Sequence, residues 1–141
     1  MGAIRIRGLD HVVLRVADLE RSKAFYRDVL GCPEEKWQPD LGLLQMRAGS
    51  ALIDMVDING KLGRQGGALA GKEGRNVDHF CLQLAEFDEA ALRAHLTAHG
   101  VEPGPVVQRY GAEGYGRSMY VSDPDGNNVE LKAPPEPPAK S

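Results

Sequence analysis

Cysteine is scarce. Cys32 and Cys81 are the only two in 141 residues, which excludes a disulfide framework and a cysteine-rich zinc site. Both read as reduced thiols of a cytoplasmic protein, and Cys81, inside an apolar run, reads as a small core residue. Long apolar runs are missing as well: none approaches the roughly 20 residues needed to cross a bilayer, so no membrane partner is expected. The opening stretch MGAIRIRGLD has no apolar leader core and reads as the start of a strand. Positive charge is not in excess either. The formal net charge is -3, which argues against a surface that tracks the phosphates of a nucleic acid. Gly66 to Lys72 fits the spacing of a phosphate loop, but Glu73 stands where Ser or Thr would be needed, and no buried strand leads into it. No G-x-S-x-G nucleophile elbow occurs.

What is present is ordinary in amount and unusual in arrangement. Apolar residues make up 42% and charged residues 26%, as in a globular domain large enough for a real core. The arrangement is a repeat. LDHVVLRVADLERSKAFYRDVLGC, from Leu9, is matched by VDHFCLQLAEFDEAALRAHLTAHGV, from Val77. Each copy has an apolar residue, Asp-His, a short apolar-rich strand, an acidic cap, a helix and a terminating glycine. His11 lies 20 residues before Gly31 and His79 lies 21 before Gly100. Two copies of this length predict a duplicated domain rather than a solenoid.

The local signals predict the elements. His11 to Val16 is strand-like. Asp18 caps a helix with a stripe of Leu19, Ala24 or Phe25, Tyr26, Val29 and Leu30; Gly31 and Pro33 stop it. In the second copy Asp88 is the cap, Ala91, Leu92 and Leu96 form the stripe, and Gly100 ends it. Leu41 to Arg47 and Ser50 to Val56 predict a hairpin around Ala48-Gly49. Val106 to Tyr110 and Arg117 to Val121 are strands of the second copy. Ser122-Asp-Pro-Asp-Gly-Asn is a turn, and Asn128 to Lys132 is the last strand. Each half therefore reads β-α-β-β, with room for a third short strand after the helix. The expected organisation is one domain over residues 1–133, with repeats over 4–59 and 77–133. The connection over 60–76 includes a run, Gly60 to Arg75, with six glycines, and reads as a flexible segment able to act as a lid. A Pro-rich tail, 134–141, reads as disordered.

Each half opens with a histidine on its first strand and closes with a carboxylate inside an apolar last strand. His11 corresponds to His79, and Asp54, in Ala-Leu-Ile-Asp-Met-Val, corresponds to Glu130, in Asn-Val-Glu-Leu. Two neutral imidazoles and two carboxylates balance a divalent cation, and nitrogen and oxygen donors suit Zn, Ni, Mn, Co or Fe(II). A lone strand histidine is more often a core or edge residue than a ligand, and a strand carboxylate can simply face water. Recurrence of both types at matching places favours the metal.

LRVADLERSKAFYRDVLG resembles the opening motif of glyoxalase I and its relatives in the vicinal-oxygen-chelate superfamily, and YVSDPDGNNVEL resembles that superfamily's closing DPDGN-x-x-E motif. The resemblance runs from about Ile4 to Lys132. It implies an α+β fold of tandem β-α-β-β-β modules forming a cupped mixed sheet, often completed in a homodimer, with metal ligands at His11, Asp54, His79 and Glu130. Relatives of the glyoxalase I type carry Glu where Asp54 stands. Without Asp54, His11, His79 and Glu130 form the two-His-one-carboxylate triad of the superfamily's Fe(II) extradiol dioxygenases. Arg15 matches an arginine that meets the glutathione tail, and period-2 alternation places it on the face of His11; a solvent-facing arginine is the plain alternative. Tyr120 precedes Glu130 by ten residues, as a catalytic tyrosine does in extradiol enzymes; otherwise it is a core or cup-lining ring. Arg109 and Tyr115, with Tyr110 and Arg117, surround Gly111, Gly114 and Gly116 in a candidate substrate loop.

Three functions are expected from these residues. The first is a glyoxalase-type lyase or isomerase acting on a small substrate with two adjacent oxygens, glutathione hemithioacetals included, in which Glu130, with or without Asp54, moves a proton between neighbouring carbons. The second is an extradiol-type dioxygenase cleaving a catechol-like ring with help from Tyr120. The third is a non-enzymatic binder of a small molecule such as a drug. Epoxide opening by a thiol, as in fosfomycin resistance, is a fourth and lesser reading.

Overall fold

The structure, a computed structural model, describes residues 2–137. It divides into two compact units, with the boundary between Leu69 and Ala70. The first contains β1 (His11–Val16), α1 (Leu19–Ala24), a π-helical turn (Phe25–Val29), β2 (Glu34–Gln38), β3 (Leu43–Ala48) and β4 (Ala51–Asp57). The second contains β5 (His79–Gln83), α2 (Glu89–Ala98), β6 (Val106–Gly111), β7 (Gly114–Ser122) and β8 (Asn128–Lys132). Each is a β-α-β-β-β module, and the third strand after each helix is present. The sheet orders are β1-β4-β3-β2 and β5-β8-β7-β6. Within each module the first strand crosses over to lie parallel to the last, while the other pairings are antiparallel.

The caps work as the sequence predicts. Asp18 accepts from the Arg21 amide at 3.0 Å and Asp88 from the Ala91 amide at 3.1 Å. Gly31 and Gly100 stop the helices in the left-handed region, at φ 74° and 72°. The first helix departs from the expected single α-helix. After Ala24 it widens, with Leu30 N–H donating to the Phe25 carbonyl and Cys32 N–H to that of Tyr26. The added residue per turn lets two adjacent aromatics face inward, Phe25 and Tyr26, packed edge-on with ring centroids 5.2 Å apart. In α2 the stripe is narrower than expected: Leu96 is buried and Leu92 half-buried, but Ala91 is exposed. The hairpin turn of the first module falls at Gly49-Ser50, with Gly49 at φ 61°.

Leu14, Val16, Tyr26, Met46, Ile53 and Met55 are among the buried apolar side chains of the first module, and Leu96, Met119, Val129 and Leu131 among those of the second. Each such burial contributes ~1.5–3 kcal/mol. Among the described residues no helix is long and apolar enough to cross a membrane.

The glycine-rich connection is partly built into the first module. Gly63–Gly66 forms a 3-10 turn. The Arg15 guanidinium donates to the Gly63 and Ala68 carbonyls, each at 2.9 Å, and also to that of Gly67. Arg15, expected to meet substrate, thus ties this segment to β1. The reason is chemical: a turn of glycines exposes several carbonyls close together, and a forked guanidinium satisfies them at once. A side chain at Gly63 would collide with the Asp57 carbonyl, and one at Gly66 with the guanidinium itself. Of the expected tail, residues 138–141 lie outside the described residues. Glu136 within it is anchored: its amide donates to the Tyr115 carbonyl at 2.9 Å and its carboxylate pairs with Arg117 at 2.9 Å.

Gly63→Ala should lower stability by about 1–3 kcal/mol, because backbone rather than a flexible side chain blocks the space. Chemical denaturation of the two proteins measures it; equal midpoints and slopes would mean that the connection moves aside freely.

Candidate metal centre

Strand pairing sets the candidate ligands side by side. In the first module Val13 is the register partner of Asp54, and Gln45 its partner on the other side. His11, two residues before Val13, shares their face by alternation. In the second module Cys81 is the register partner of Glu130, and Tyr120 its partner on the other side; His79 again lies two residues earlier. The duplicated pattern of the sequence is therefore duplicated geometry. Among the described residues no three His, Cys, Asp or Glu side chains are gathered to hold an ion. Each module brings together one histidine and one carboxylate.

The second pair is in contact. His79 Nε2 lies 3.2 Å from Glu130 Oε1. Glu130 also accepts from the Tyr120 hydroxyl at 2.9 Å and from the Ser118 hydroxyl at 2.7 Å. The Tyr120 ring meets the His79 ring edge-on at 5.5 Å. Glu130 is buried, which works against its ionised form. Hydrogen bonds from Ser118, Tyr120 and Cys81, with His79 nearby, outweigh this and hold its carboxyl below the usual glutamate range.

Asp54 has the opposite balance. It is 2% exposed, and burial is the main cause that pushes its carboxyl above the usual aspartate range, against a hydrogen bond from Gln45 and the influence of His11. Gln45 Nε2 donates to Oδ2 at 3.2 Å. The other oxygen, Oδ1, is buried and has no hydrogen-bond partner among the described residues. A buried, unpaired carboxylate oxygen is costly unless a cation or proton satisfies it. This orphan, with a donor set of imidazole nitrogen and carboxylate oxygen, fits a divalent ion.

Each histidine ring meets the side chain of the residue before it. His11 Nδ1 lies 2.6 Å from Asp10 Oδ1, and His79 Nδ1 lies 2.7 Å from Asp78 Oδ2. The Asp10 contact, then the charge of Asp54, raises the His11 pKa, and the His79 contact lowers that of Asp78.

Other expected residues fall differently. Arg109 lies beside Tyr120, where it opposes the rise that burial imposes on the phenol. Tyr115 is not brought to this group: alternation along β7 turns it to the face opposite Tyr120, and its exposed ring meets Tyr110 edge-on at 5.1 Å. The expected glycine-spaced loop is a β-hairpin whose register runs through Tyr110–Tyr115 to Gly111–Gly114, because a two-residue turn closes it. Cys81 is a correction. It is exposed, not core, because it follows His79 by two residues on the same face. Although the residue is exposed, partial desolvation of its thiol first, and then Glu130, push its pKa to about 12, so it stays a thiol. Ser118, Gln45, Asp10 and Asp78 carry no mark in the sequence as functional residues, although the repeated Asp-His pair was a signal for the last two.

The family description Glyoxalase/Bleomycin resistance protein/Dioxygenase superfamily matches residues 8–131. The chain belongs to this superfamily. A glyoxalase domain-containing protein of Mycosarcoma maydis is 27% identical over 137 residues, which span 92% of this chain and 70% of the relative. An integron cassette protein from the mobile metagenome of V. Cholerae is 27% identical, with a TM-score of 0.74, covering 94% of this chain and 98% of the other. The fosfomycin resistance protein FosX of Listeria monocytogenes is 26% identical, with a TM-score of 0.67, covering 93% and 96%. A mutant of that FosX has been solved with Mn(II) and 1S,2S-dihydroxypropylphosphonic acid. Membership supports a metalloenzyme-type or small-molecule-binding role.

Because burial raises the Asp54 pKa on folding, its ionised form opposes folding. That part of the stability is present below the unfolded aspartate pKa and lost as pH rises through the folded value. Asp54→Asn, in metal-free protein with chelator present, should therefore match the parent at acid pH. It should melt at a higher temperature than the parent at neutral pH. Thermal melts across pH test this, and a difference that does not grow with pH would show that burial does not penalise the charge.

Proposed function

We propose that the chain is a divalent-metal-dependent enzyme of the glyoxalase type, a lyase or isomerase of a small substrate that presents two adjacent oxygens. The ion would be held by His11, Asp54, His79 and Glu130, with Zn, Ni, Mn, Co and Fe(II) all compatible with these donors, and the working assembly would be a homodimer in the cytoplasm. When bound, the ion supplies a Lewis acid that draws electron density from the chelating oxygens. The observation that carries this reading is the orphan oxygen of Asp54, buried on the face it shares with His11.

The two carboxyls suit different tasks. Glu130, held ionised by hydroxyl donors, is the firm ligand. Asp54, with its pKa raised and one oxygen unpaired, is the better proton acceptor. Two acids whose environments push them apart divide the work of holding and of moving a proton. The sequence assigns the proton shuttle to Glu130, with or without Asp54. The raised pKa of Asp54 favours Asp54 as the group that takes a proton from the carbon next to a carbonyl and returns it to the neighbouring carbon. Glu130 remains in contact with His79 and Tyr120. Arg109, beside Tyr120, is placed to meet an anionic substrate group, and a glutathione hemithioacetal is one such substrate.

A second reading has its own support. The Tyr120 hydroxyl bonded to Glu130, with its ring against His79, suits an extradiol-type dioxygenase in which Tyr120 assists at a catechol-like ring. Fe(II)-dependent oxygen uptake with catechol would favour that reaction.

Under the first reading, Glu130→Gln should lose both bound metal and turnover of a hemithioacetal. Asp54→Asn should bind metal more weakly than the parent and, once loaded with excess metal, lose turnover by ~10²–10⁴-fold, the usual weight of a proton-transfer group. Metal content and kinetics of purified variants test this; full turnover in both variants would sink the proposal.

A further inference from the structure

The Asp-His pair opens both repeats, and in both modules the aspartate reaches the same ring nitrogen of the histidine after it, at 2.6 Å for Asp10 and 2.7 Å for Asp78. We propose that Asp10 and Asp78 are positioning residues that hold His11 and His79 as the Nδ1–H tautomer, leaving each Nε2 lone pair free for a cation. This rests on the metal reading above and adds to it the device that makes both imidazoles ready to bind.

Hydrogen-bonding arithmetic supports the assignment. A carboxylate only accepts, so Nδ1 must carry the proton in each contact. A neutral imidazole has one N–H, so Nε2 then bears the lone pair. In the second module that nitrogen lies 3.2 Å from Glu130 Oε1, an oxygen that already accepts from the Tyr120 hydroxyl while Oε2 accepts from Ser118. Two acceptors facing each other at this distance need a proton or a metal ion between them. In the first module the buried, unpaired Oδ1 of Asp54 is the matching acceptor on the face of His11.

Adjacency in sequence makes the device local. An aspartate next to its histidine needs no long-range packing to reach it, and both aspartates are exposed, with side chains 89% and 87% accessible. Their replacement should leave the fold intact. A carboxylate behind a metal-ligating imidazole fixes its ring orientation and strengthens its donation, and losing such a partner typically costs roughly 10–100-fold in metal affinity.

The test uses the full chain carrying His95→Gln and His99→Gln, which leaves His11 and His79 as the only imidazoles. Two-bond proton–nitrogen NMR spectra of the metal-free protein, recorded at a pH where the rings are neutral, report which nitrogen of each is protonated. Both rings should be Nδ1–H in this background. Asp10→Ala and Asp78→Ala should each release the tautomer of their own ring only. The Asn variants, which keep a neutral acceptor, should retain part of the bias. Titration with Co(II) should weaken by roughly 10–100-fold in each Ala variant, and by less in each Asn variant. Rings that stay Nδ1–H in the Ala variants, or Co(II) affinity unchanged by them, would overturn the positioning role while the metal reading stands. Pinned rings in a protein that binds no Co(II) would overturn the metal reading itself, and with it the purpose assigned to the pinning.

Discussion

Everything at the candidate site depends on one pairing in each module: the first strand lies parallel to the last. That register sets Val13 opposite Asp54 and Cys81 opposite Glu130, and alternation brings His11 and His79 to the same faces as their acids. A slip of one residue would turn each histidine to the opposite face from its carboxylate. Parallel neighbours cannot be joined by a tight turn; they need a crossover. The capped and glycine-terminated helix is that crossover, so the Asp18 and Asp88 caps and the Gly31 and Gly100 stops belong to the site as much as to the fold.

Identical topology does not make the two acids equal. Around Glu130 stand Ser118, Tyr120 and Cys81, all able to donate. Around Asp54, the same register positions are occupied by Leu43, Gln45 and Val13, and only Gln45 donates. Three neighbours therefore decide that one carboxyl is held below its usual range and the other pushed above it. Duplication supplies two similar pairs, and substitution of the neighbours gives them different appetites for charge. Asp is also one methylene shorter than Glu, so Asp54 keeps its oxygens close to the strand, where burial bears on them most.

Cations show how far appearance in sequence can mislead. Arg15 has the placement of a substrate clamp, yet its guanidinium satisfies carbonyls of its own chain in the glycine-rich connection. Arg117 likewise spends its charge on Glu136. Arg109, by contrast, stands by Tyr120 and so near the acid that Tyr120 contacts. Glycines facing such groups are set by packing as well as by conformation: Gly66 leaves the room that the Arg15 head fills.

The sequence by itself determined the duplication, the module order, the caps and stops, and the candidate pairs His11–Asp54 and His79–Glu130. These features are written in local spacing, and local spacing survives without knowledge of partners. It also held the Asp-His pairs in plain view, without saying that the aspartates turn back onto the imidazoles. Tertiary structure alone decided that Cys81 faces outward beside Glu130, that Tyr115 turns away from it, that the first helix widens to bury Phe25 with Tyr26, and that Asp54 keeps an unpaired oxygen. Each of these depends on what lies across the sheet or beneath the helix. Burial and hydrogen-bond balance are sums over neighbours distant in the chain, and no periodicity along it can state them.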